Sequence, residues 1–68
     1  MKNTVKVERA KKNFTQQDLA ERIKVSRQTI NSIESGKYVP STVLALKIAK
    51  TFETSLEEIF QLEENDWE

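Results

Sequence analysis

Arginine, amide and hydroxyl side chains recur at helical spacing in the middle of the chain. These residues are Arg27, Gln28, Asn31, Ser32 and Ser35. On an α-helix, at about 100° per residue, they fall within an arc of roughly 140°. Charged lysines and glutamates would make such a face merely soluble, whereas guanidinium, amide and hydroxyl groups match the hydrogen-bonding groups of base edges. The pattern therefore predicts a face that contacts another molecule.

The residues around this face predict a scaffold of two crossing helices. Ile30 and Ile33 lie on the opposite side of the same helix and predict a buried stripe. An amphipathic run over 16–23 predicts a preceding helix, and only residues 24–25 separate it from Ser26, a good N-cap residue. So short a connection forces the two helices to cross steeply, which is the geometry of a helix-turn-helix.

That geometry predicts which side chains contact bases. The N-terminal end of the second helix in a helix-turn-helix normally enters the major groove. Arg27 and Gln28 are therefore predicted base contacts. Asn31 and Ser32 lie about one turn later and share the prediction, although their reach depends on the docking angle. The alternative interpretation is an ordinary polar helix surface that meets only solvent.

Capping signals predict the other helices. Thr15 followed by Asp18 is a short capping box, and Ser55 followed by Glu58 is a full one. Gly36 can end a helix in the left-handed conformation. The predicted helices cover 5–12, 16–23, a third from Ser26 to near Ser35, a fourth from Pro40 and Ser41 through Phe52, and a short fifth after Ser55. An all-α chain with five short helices around one core is the predicted architecture.

The composition argues against catalysis. The 68 residues contain no histidine and no cysteine, which removes the commonest general base and all thiolate chemistry. The single glycine excludes a glycine-rich phosphate loop. No run approaches the roughly 18 apolar residues of a membrane span, and no signal peptide is recognisable. We therefore expect a cytoplasmic protein that is not an enzyme, with no metal, cofactor, membrane partner or small-molecule ligand.

The net charge of zero hides a strong asymmetry. Residues 1–52 hold all eleven basic residues and four acidic ones, which gives +7, and residues 53–68 hold seven acidic residues and no basic one, which gives −7. A basic body of this kind favours an anionic partner. The alternative is a solvated charged surface without a specific partner.

The stretch that carries the predicted helix-turn-helix resembles a known family. It reads TQQDLAERIKVSRQTINSIESGKYVPS, and it is similar to Cro/C1-type (Xre) helix-turn-helix transcriptional regulators. The matching positions are Thr15-Gln16, Leu19-Ala20, Val25-Ser26, Ile30, Glu34, Gly36-Lys37 and Pro40-Ser41. The later ALKIAKTFETSLEEIFQ matches the continuation of small stand-alone members, so the resemblance covers about residues 3–62.

The resemblance implies a lambda-repressor-like five-helix DNA-binding domain. We expect it to span residues 1–62, with the helix-turn-helix at about 15–36 and an acidic tail at 63–68. Close relatives also suggest that residues 60–63 pair with residues 2–5 as short strands. The tail, which includes Trp67, is most simply a solvating or frayed end.

The resemblance also implies roles for residues outside the reading face. Gln16, Ser26, Lys37 and Tyr38 match positions that contact the DNA sugar–phosphate backbone, and Gln16 is also placed to brace the recognition helix near Arg27. Arg9 and Glu34 match a largely buried structural ion pair that links the first and third helices.

Two positions depart from the family pattern. Lys24 stands where many members have glycine, at a turn position that we expect to need positive φ. Glu8 stands at a first-helix position that is often apolar.

The fifth helix predicts self-association. Four apolar residues cluster there, and the family commonly dimerises through this region: Leu56, Ile59, Phe60 and Leu62. A two-fold dimer would place two recognition helices about one DNA turn apart. The resulting hypothesis is a homodimeric repressor that reads an inverted repeat in double-stranded DNA. The alternative is an antitoxin or co-regulator whose main partner is another protein.

Overall fold

Five α-helices and one short pair of antiparallel strands make up the structure, a computed structural model that describes all of residues 1–68. The helices are α1 (Val5–Lys11), α2 (Gln16–Ile23), α3 (Arg27–Glu34), α4 (Thr42–Phe52) and α5 (Leu56–Ile59); the strands are β1 (Lys2–Asn3) and β2 (Phe60–Gln61), and a 3₁₀ helix covers Glu64–Trp67. The predicted five-helix all-α architecture is confirmed. Helix α1 ends one residue earlier than predicted, because Lys12 is its C-cap.

One hydrophobic core joins all five helices and β2. Its members are Val5, Leu19, Ala20, Ile23, Ile30, Ile33, Ala45, Ile48, Ala49, Phe52, Ile59 and Phe60. Within α2, α3 and α4 these residues are mostly three or four positions apart, so each helix presents one apolar stripe to the others. Burying each of the larger aliphatic side chains contributes about 1.5–3 kcal/mol. Packing of these stripes, rather than helix propensity, therefore holds the short helices together.

Helix α4 is the longest helix, with 11 residues. None of the helices has the length and hydropathy that crossing a membrane requires.

Side-chain caps begin four of the helices. The predicted capping box of α2 is present in both halves, because Thr15 accepts from the Asp18 N–H and the Asp18 carboxylate accepts from the Thr15 N–H. The full capping box predicted at α5 is wrong in one half. The Ser55 hydroxyl does accept from the Glu58 N–H, but the Glu58 carboxylate accepts from the Thr54 hydroxyl at 2.6 Å instead. The Thr54 hydroxyl thus takes the place that the Ser55 backbone N–H has in a full capping box.

The predicted strand pairing joins the two ends of the chain. Strand β1 pairs antiparallel with β2, with Lys2 opposite Gln61 and Asn3 opposite Phe60. The paired residues lie within the predicted ranges, 2–5 and 60–63, but each strand has only two residues. It brings α1 beside α5, where the Thr4 N–H donates to the Ile59 carbonyl at 2.9 Å.

The acidic tail forms a 3₁₀ helix rather than a frayed end, and all of residues 63–68 are exposed, as in a solvating end. Glu63 and Asp66 form a reciprocal capping box for the terminal 3₁₀ helix, and the Met1 ammonium group lies 3.0 Å and 2.9 Å from their carboxylates. The Glu63 backbone N–H and the Met1 ammonium group lower the pKa of Asp66 from its ordinary value of 3.8. The tail is therefore tied to the N-terminus of the chain through Met1.

Candidate nucleic-acid interface

A tight left-handed turn sets the crossing of α2 and α3. Lys24 adopts φ 61° and ψ 49°, as expected for the position where many family members have glycine. The backbone N–H groups of Lys24 and Val25 both donate to the Ala20 carbonyl, which closes the C-terminus of α2. Ser26 then caps α3 by accepting from the Thr29 N–H at 3.1 Å. The turn therefore directs the N-terminus of α3 away from the core.

The outer face of α3 carries the predicted reading residues. Arg27, Gln28 and Asn31 are exposed, and Ser32 is half-buried. Gln28 Nε2 donates to the Ser32 hydroxyl at 3.5 Å, and the Ser35 hydroxyl donates to the Ser32 carbonyl at 3.1 Å. Ile30 and Ile33 are fully buried on the other side. Helix α3 thus presents a polar face to solvent while its apolar face packs against the core.

Gln16 connects the start of α2 to this face. Its Nε2 donates to the Glu34 carboxylate at 3.1 Å and to the Asn31 side-chain oxygen at 3.4 Å. Its Oε1 accepts from Arg27 Nε at 3.5 Å. The predicted proximity of Gln16 and Arg27 is therefore present in the structure.

The contact between Gln16 and Glu34 is a finding that sequence reasoning missed. The two residues lie on different helices, and no local spacing rule relates them. Only the crossing angle of α2 and α3 brings Gln16 beside the last turn of α3. An inference from the two separate family roles, one at a phosphate and one in an ion pair, could have suggested the link.

Arg9 and Glu34 form the ion pair that the resemblance implied. Arg9 Nε and Nη2 donate to the two Glu34 carboxylate oxygens at 2.8 and 3.2 Å, and Arg9 Nη1 donates to the Phe14 carbonyl at 2.9 Å. The Arg9 side chain is 16% exposed and that of Glu34 is 6% exposed. This forked pair links α1, the α1–α2 connection and α3, and its carboxylate also accepts from Gln16.

The N-terminus of α2 offers hydrogen-bond donors to an anion. The capping box uses the Asp18 N–H and the Thr15 N–H, whereas the N–H groups of Gln16 and Gln17 have no acceptor within the protein. Backbone donors and the helix dipole together favour a negatively charged group at such an end. A shallow cavity of about 320 Å³ adjoins it and is lined by Gln16, Arg27, Gln28 and Asn31.

The segment after α3 holds Lys37 and Tyr38 on the surface. Both backbone N–H groups donate to the Ser32 carbonyl, at 3.0 and 3.2 Å, and both side chains are exposed. Gly36 precedes them at φ +81°, and a Cβ there would meet no atom within 4 Å. Glycine is therefore favoured by the backbone conformation rather than by close packing. The turn places Lys37 just past the C-terminus of α3.

The cap of α2 also affects the titration of a carboxylate. The backbone N–H and the hydroxyl of Thr15 both hydrogen-bond to Asp18 and lower its pKa from the ordinary value of 3.8. Asp18 therefore remains ionised to lower pH in the folded chain than in a disordered one.

The structure divides the four residues predicted to form a dimer interface. Ile59 is fully buried and Phe60 is 8% exposed, so both lie in the core of the monomer and have little surface for a second copy. Leu56 is half-buried against the core, and Leu62 is 59% exposed. The monomer core therefore absorbs Ile59 and Phe60 but not Leu62.

Two short helices joined by a tight turn, with a polar outer face on the second, define a helix-turn-helix. A helix-turn-helix family model matches residues 5–59 of the chain. The chain therefore belongs to the Cro/C1-type (Xre) helix-turn-helix family and is a DNA-binding transcriptional regulator rather than an enzyme.

Individual relatives are similar in sequence or in structure over most of the chain. An uncharacterised HTH-type transcriptional regulator of Methanocaldococcus jannaschii is 54% identical over 66 residues, which cover 97% of this chain and 100% of the relative. The uncharacterised HTH-type transcriptional regulator YgzD of Bacillus subtilis is 50% identical over the same coverage. Among solved structures, the restriction-modification controller protein C.AhdI of Aeromonas hydrophila is similar, with a TM-score of 0.76 and 27% identity over 82% of this chain and 85% of that one.

Proposed function

We propose that the chain is a sequence-specific repressor that binds an inverted-repeat operator in double-stranded DNA as a homodimer. It acts in the cytoplasm, where a bacterial or archaeal operator lies. Occupying the operator blocks access of polymerase to the promoter. The observation that supports this proposal is the set of hydrogen bonds around Gln16, which joins the N-terminus of α2 to the outer face of α3.

In this proposal the phosphate contact and the base contacts are positioned together. A phosphate at the N-terminus of α2 accepts from the unpaired Gln16 and Gln17 N–H groups. The Gln16 side chain then hydrogen-bonds to Arg27 and Asn31, so these two side chains are positioned relative to the bound phosphate. Backbone contacts set the register of a protein on the duplex, and side chains in the major groove then select the bases. A link between the two makes the selection depend on how the protein docks on the phosphate backbone.

The outer face of α3 supplies the base contacts. Arg27 is assigned to guanine, because its guanidinium matches the O6 and N7 acceptors, and Gln28 and Asn31 are assigned to adenine. Ser32, which is half-buried beside Gln28, takes a shorter contact with either base. These four residues are the proposed specificity determinants.

Three further residues supply backbone contacts. Ser26 lies at the exposed N-cap of α3, and Lys37 and Tyr38 lie in the exposed turn after its C-terminus. Contacts from both ends of α3 would hold the helix in the groove. Such contacts strengthen binding to every sequence and make it salt-dependent.

Selection of bound sequences from a random duplex library, at low and high salt, tests the proposal. We expect enrichment of an inverted repeat with half-sites about one turn, or 34 Å, apart, since two symmetric recognition helices demand that spacing. Binding that yields no enriched sequence and disappears at high salt would contradict sequence-specific readout. A protein partner, as in an antitoxin or co-regulator, would then become the leading alternative, to be sought by co-purification.

A further inference from the structure

We propose that the outer face of α4 binds the acidic C-terminal segment of a second copy of the chain. The binding surface is the α4 stripe, which consists of Val43, Leu46, Lys47 and Lys50. The ligand is the acidic segment, residues 62–68. This inference rests on the proposed homodimer and assigns its interface, since Ile59 and Phe60 lie inside the monomer.

The α4 stripe runs along the side of α4 that faces away from the core. Its positions are spaced i, i+3, i+4 and i+7, so neighbouring members lie side by side on the helix surface. Val43 is 65% exposed and Leu46 is 52% exposed, and both lysines are exposed. The core-facing residues of α4 are a separate set, Ala45, Ile48, Ala49 and Phe52. The apolar half of the stripe therefore contributes nothing to the monomer core.

The basic half of the stripe opens into a concavity that lacks acidic groups. A shallow cavity of about 320 Å³ is lined by Arg22, Ile23, Lys24, Lys47, Lys50 and Thr51. None of its four cationic side chains takes part in an ion pair within the protein. Arg22 lies 4.2 Å from the centre of the Phe14 ring and interacts electrostatically with Asp18, so the uncompensated charges are those of Lys24, Lys47 and Lys50. Three lysines around one concavity create a local positive potential that attracts a negatively charged group.

The acidic segment has the complementary composition. Leu62 is 59% exposed and Trp67 is 78% exposed, so two large apolar side chains face solvent. Glu64 and Glu68 are exposed beside them and form no ion pair. The segment thus combines apolar and negative groups, whereas the α4 stripe combines apolar and positive groups. Complementary potentials of this kind select one partner surface over others.

A second copy fits these observations better than the segment of the same chain. Within one protomer the acidic segment is held at the N-terminus, through the contacts of Glu63 and Asp66 with the Met1 ammonium group. Those contacts fold the segment and still leave Leu62 and Trp67 outward. In a two-fold dimer each segment would meet the stripe of the other protomer, so the contact would occur twice.

Duplex DNA is the competing occupant of the basic concavity, and the geometry disfavours it. The proposed phosphate contact lies at Gln16, and Lys24 is eight residues further along, so α2 separates the two by about 12 Å. Val43 and Leu46 would also have no apolar group to contact on a phosphate backbone. The combination of aliphatic and basic residues therefore favours a protein segment that carries both apolar and acidic side chains.

Charge exchange between the two surfaces tests the proposal without DNA. Sedimentation velocity over a protein concentration series gives the dimer dissociation constant of the wild type, of K47E/K50E, of E64K/E68K and of the variant that combines all four changes. We expect each double variant to weaken the dimer by about tenfold or more, because like charges then face each other twice. The combined variant should restore dimerisation, since opposite charges again meet.

Matched controls separate this contact from general charge effects. The variants K6E and K50E make the same change in net charge at exposed, unpaired lysines. K6E, on α1, should leave the dissociation constant unaltered, whereas K50E should raise it. Leu46→Ser should weaken the dimer without changing its salt dependence. Far-UV circular dichroism checks that every variant retains its helices.

Several outcomes would overturn the assignment. A wild type that stays monomeric at all concentrations removes the interface altogether. A dimer that tolerates both double variants uses another surface, and failure of the combined variant to restore it means that these groups do not face each other. If K47E/K50E alters only affinity for random duplex, the concavity belongs to DNA. Selection of an operator is a separate measurement, so failure of the proposed readout would leave this result interpretable.

Discussion

The polar residues between α1, α2 and α3 form two regions that are built differently. At the inner end, Arg9 and Glu34 are joined by a forked pair with a shortest distance of 2.8 Å, and both side chains are largely buried. At the outer end, Arg27 reaches Gln16 at 3.5 Å and is exposed. A donor–acceptor distance of 3.5 Å is at the limit of a hydrogen bond and is easily exchanged for a better partner. The inner end is therefore suited to fixing helices, and the outer end to exchanging its contacts for those of a ligand.

Gln16 lies between these regions and shares features of both. Its amide nitrogen donates to buried Glu34, while its amide oxygen accepts from exposed Arg27. The buried Glu34 carboxylate thus orients the Gln16 amide, and the oriented amide in turn positions the exposed Arg27 side chain. The difference indicates that stability and DNA readout can be altered separately, which the following predictions test in order of expected size.

The largest effect is expected for Glu34→Ala. The substitution leaves the Arg9 guanidinium partly buried without its carboxylate and removes the acceptor of Gln16. We expect a loss of about 3 kcal/mol in the free energy of unfolding, at the lower end for a broken buried pair. Urea denaturation followed by circular dichroism measures it. The control Glu8→Ala breaks a surface pair with Lys11 and should cost about 1 kcal/mol or less. Equal losses would show that the inner end has no special stabilising role.

Arg27→Ala should separate readout from stability. The side chain is exposed, so the free energy of unfolding should change by about 0.5 kcal/mol or less. Discrimination at one operator base pair should fall by about 1–3 kcal/mol. Titration of the selected operator and of single-base variants measures this loss. An equal decrease on operator and random duplex would sink the assignment of Arg27 as a base reader. Lys6→Ala, which removes an exposed positive charge on α1, is the control.

Lys37→Ala should weaken binding to all sequences alike. The proposed phosphate contact carries no sequence information, so the specificity ratio should remain unchanged. The slope of log affinity against log salt should become shallower by about 1. Affinities over a salt series, for operator and for random duplex, test the prediction, with Lys6→Ala as a control on α1. A change in the specificity ratio would place Lys37 among the base-reading residues instead.

The smallest effect is expected for Asp18→Asn and concerns pH. The folded-state pKa of Asp18 is lowered by its hydrogen bonds to Thr15. Its contribution is therefore present above the ordinary value of 3.8 and is lost as pH falls through the lowered pKa. The asparagine variant should lose less stability on acidification through this window. Thermal midpoints measured down the pH scale test it, and the same acid dependence in Asp18→Asn and wild type would contradict it. Glu21→Gln, on the same helix, is the control.

Local rules predicted much of the fold because the signals lie within a few residues of each other. The cap at Thr15 and the left-handed Gly36 just after α3 each depend on neighbours in sequence, whereas the left-handed Lys24 was expected from the family resemblance. The same rules failed where a competing neighbour was overlooked. At α5 the Thr54 hydroxyl binds the carboxylate of Glu58, which the capping-box pattern had assigned to the Ser55 N–H.

Exposure was harder to predict than helix position. Apolar residues at the end of the chain were expected to face a second copy, yet Ile59 and Phe60 are buried. Val43 and Leu46 are apolar residues of α4, and both are largely exposed to solvent. Helical periodicity defines the relative direction of side chains, but which direction meets the core depends on the elements that pack against the helix.

By itself, the sequence determined the helices, the tight turn between α2 and α3, and the chemical composition of the α3 face. These depend on backbone preferences, caps and 3.6-residue periodicity, all of which act over short separations. Only the tertiary structure decided that Gln16 meets Glu34, that Ile59 and Phe60 belong to the core, and that the acidic segment meets the Met1 ammonium group. Each of these contacts joins residues far apart in the chain. Such contacts form only where helix crossing and strand pairing bring the partners together, so no local pattern could specify them.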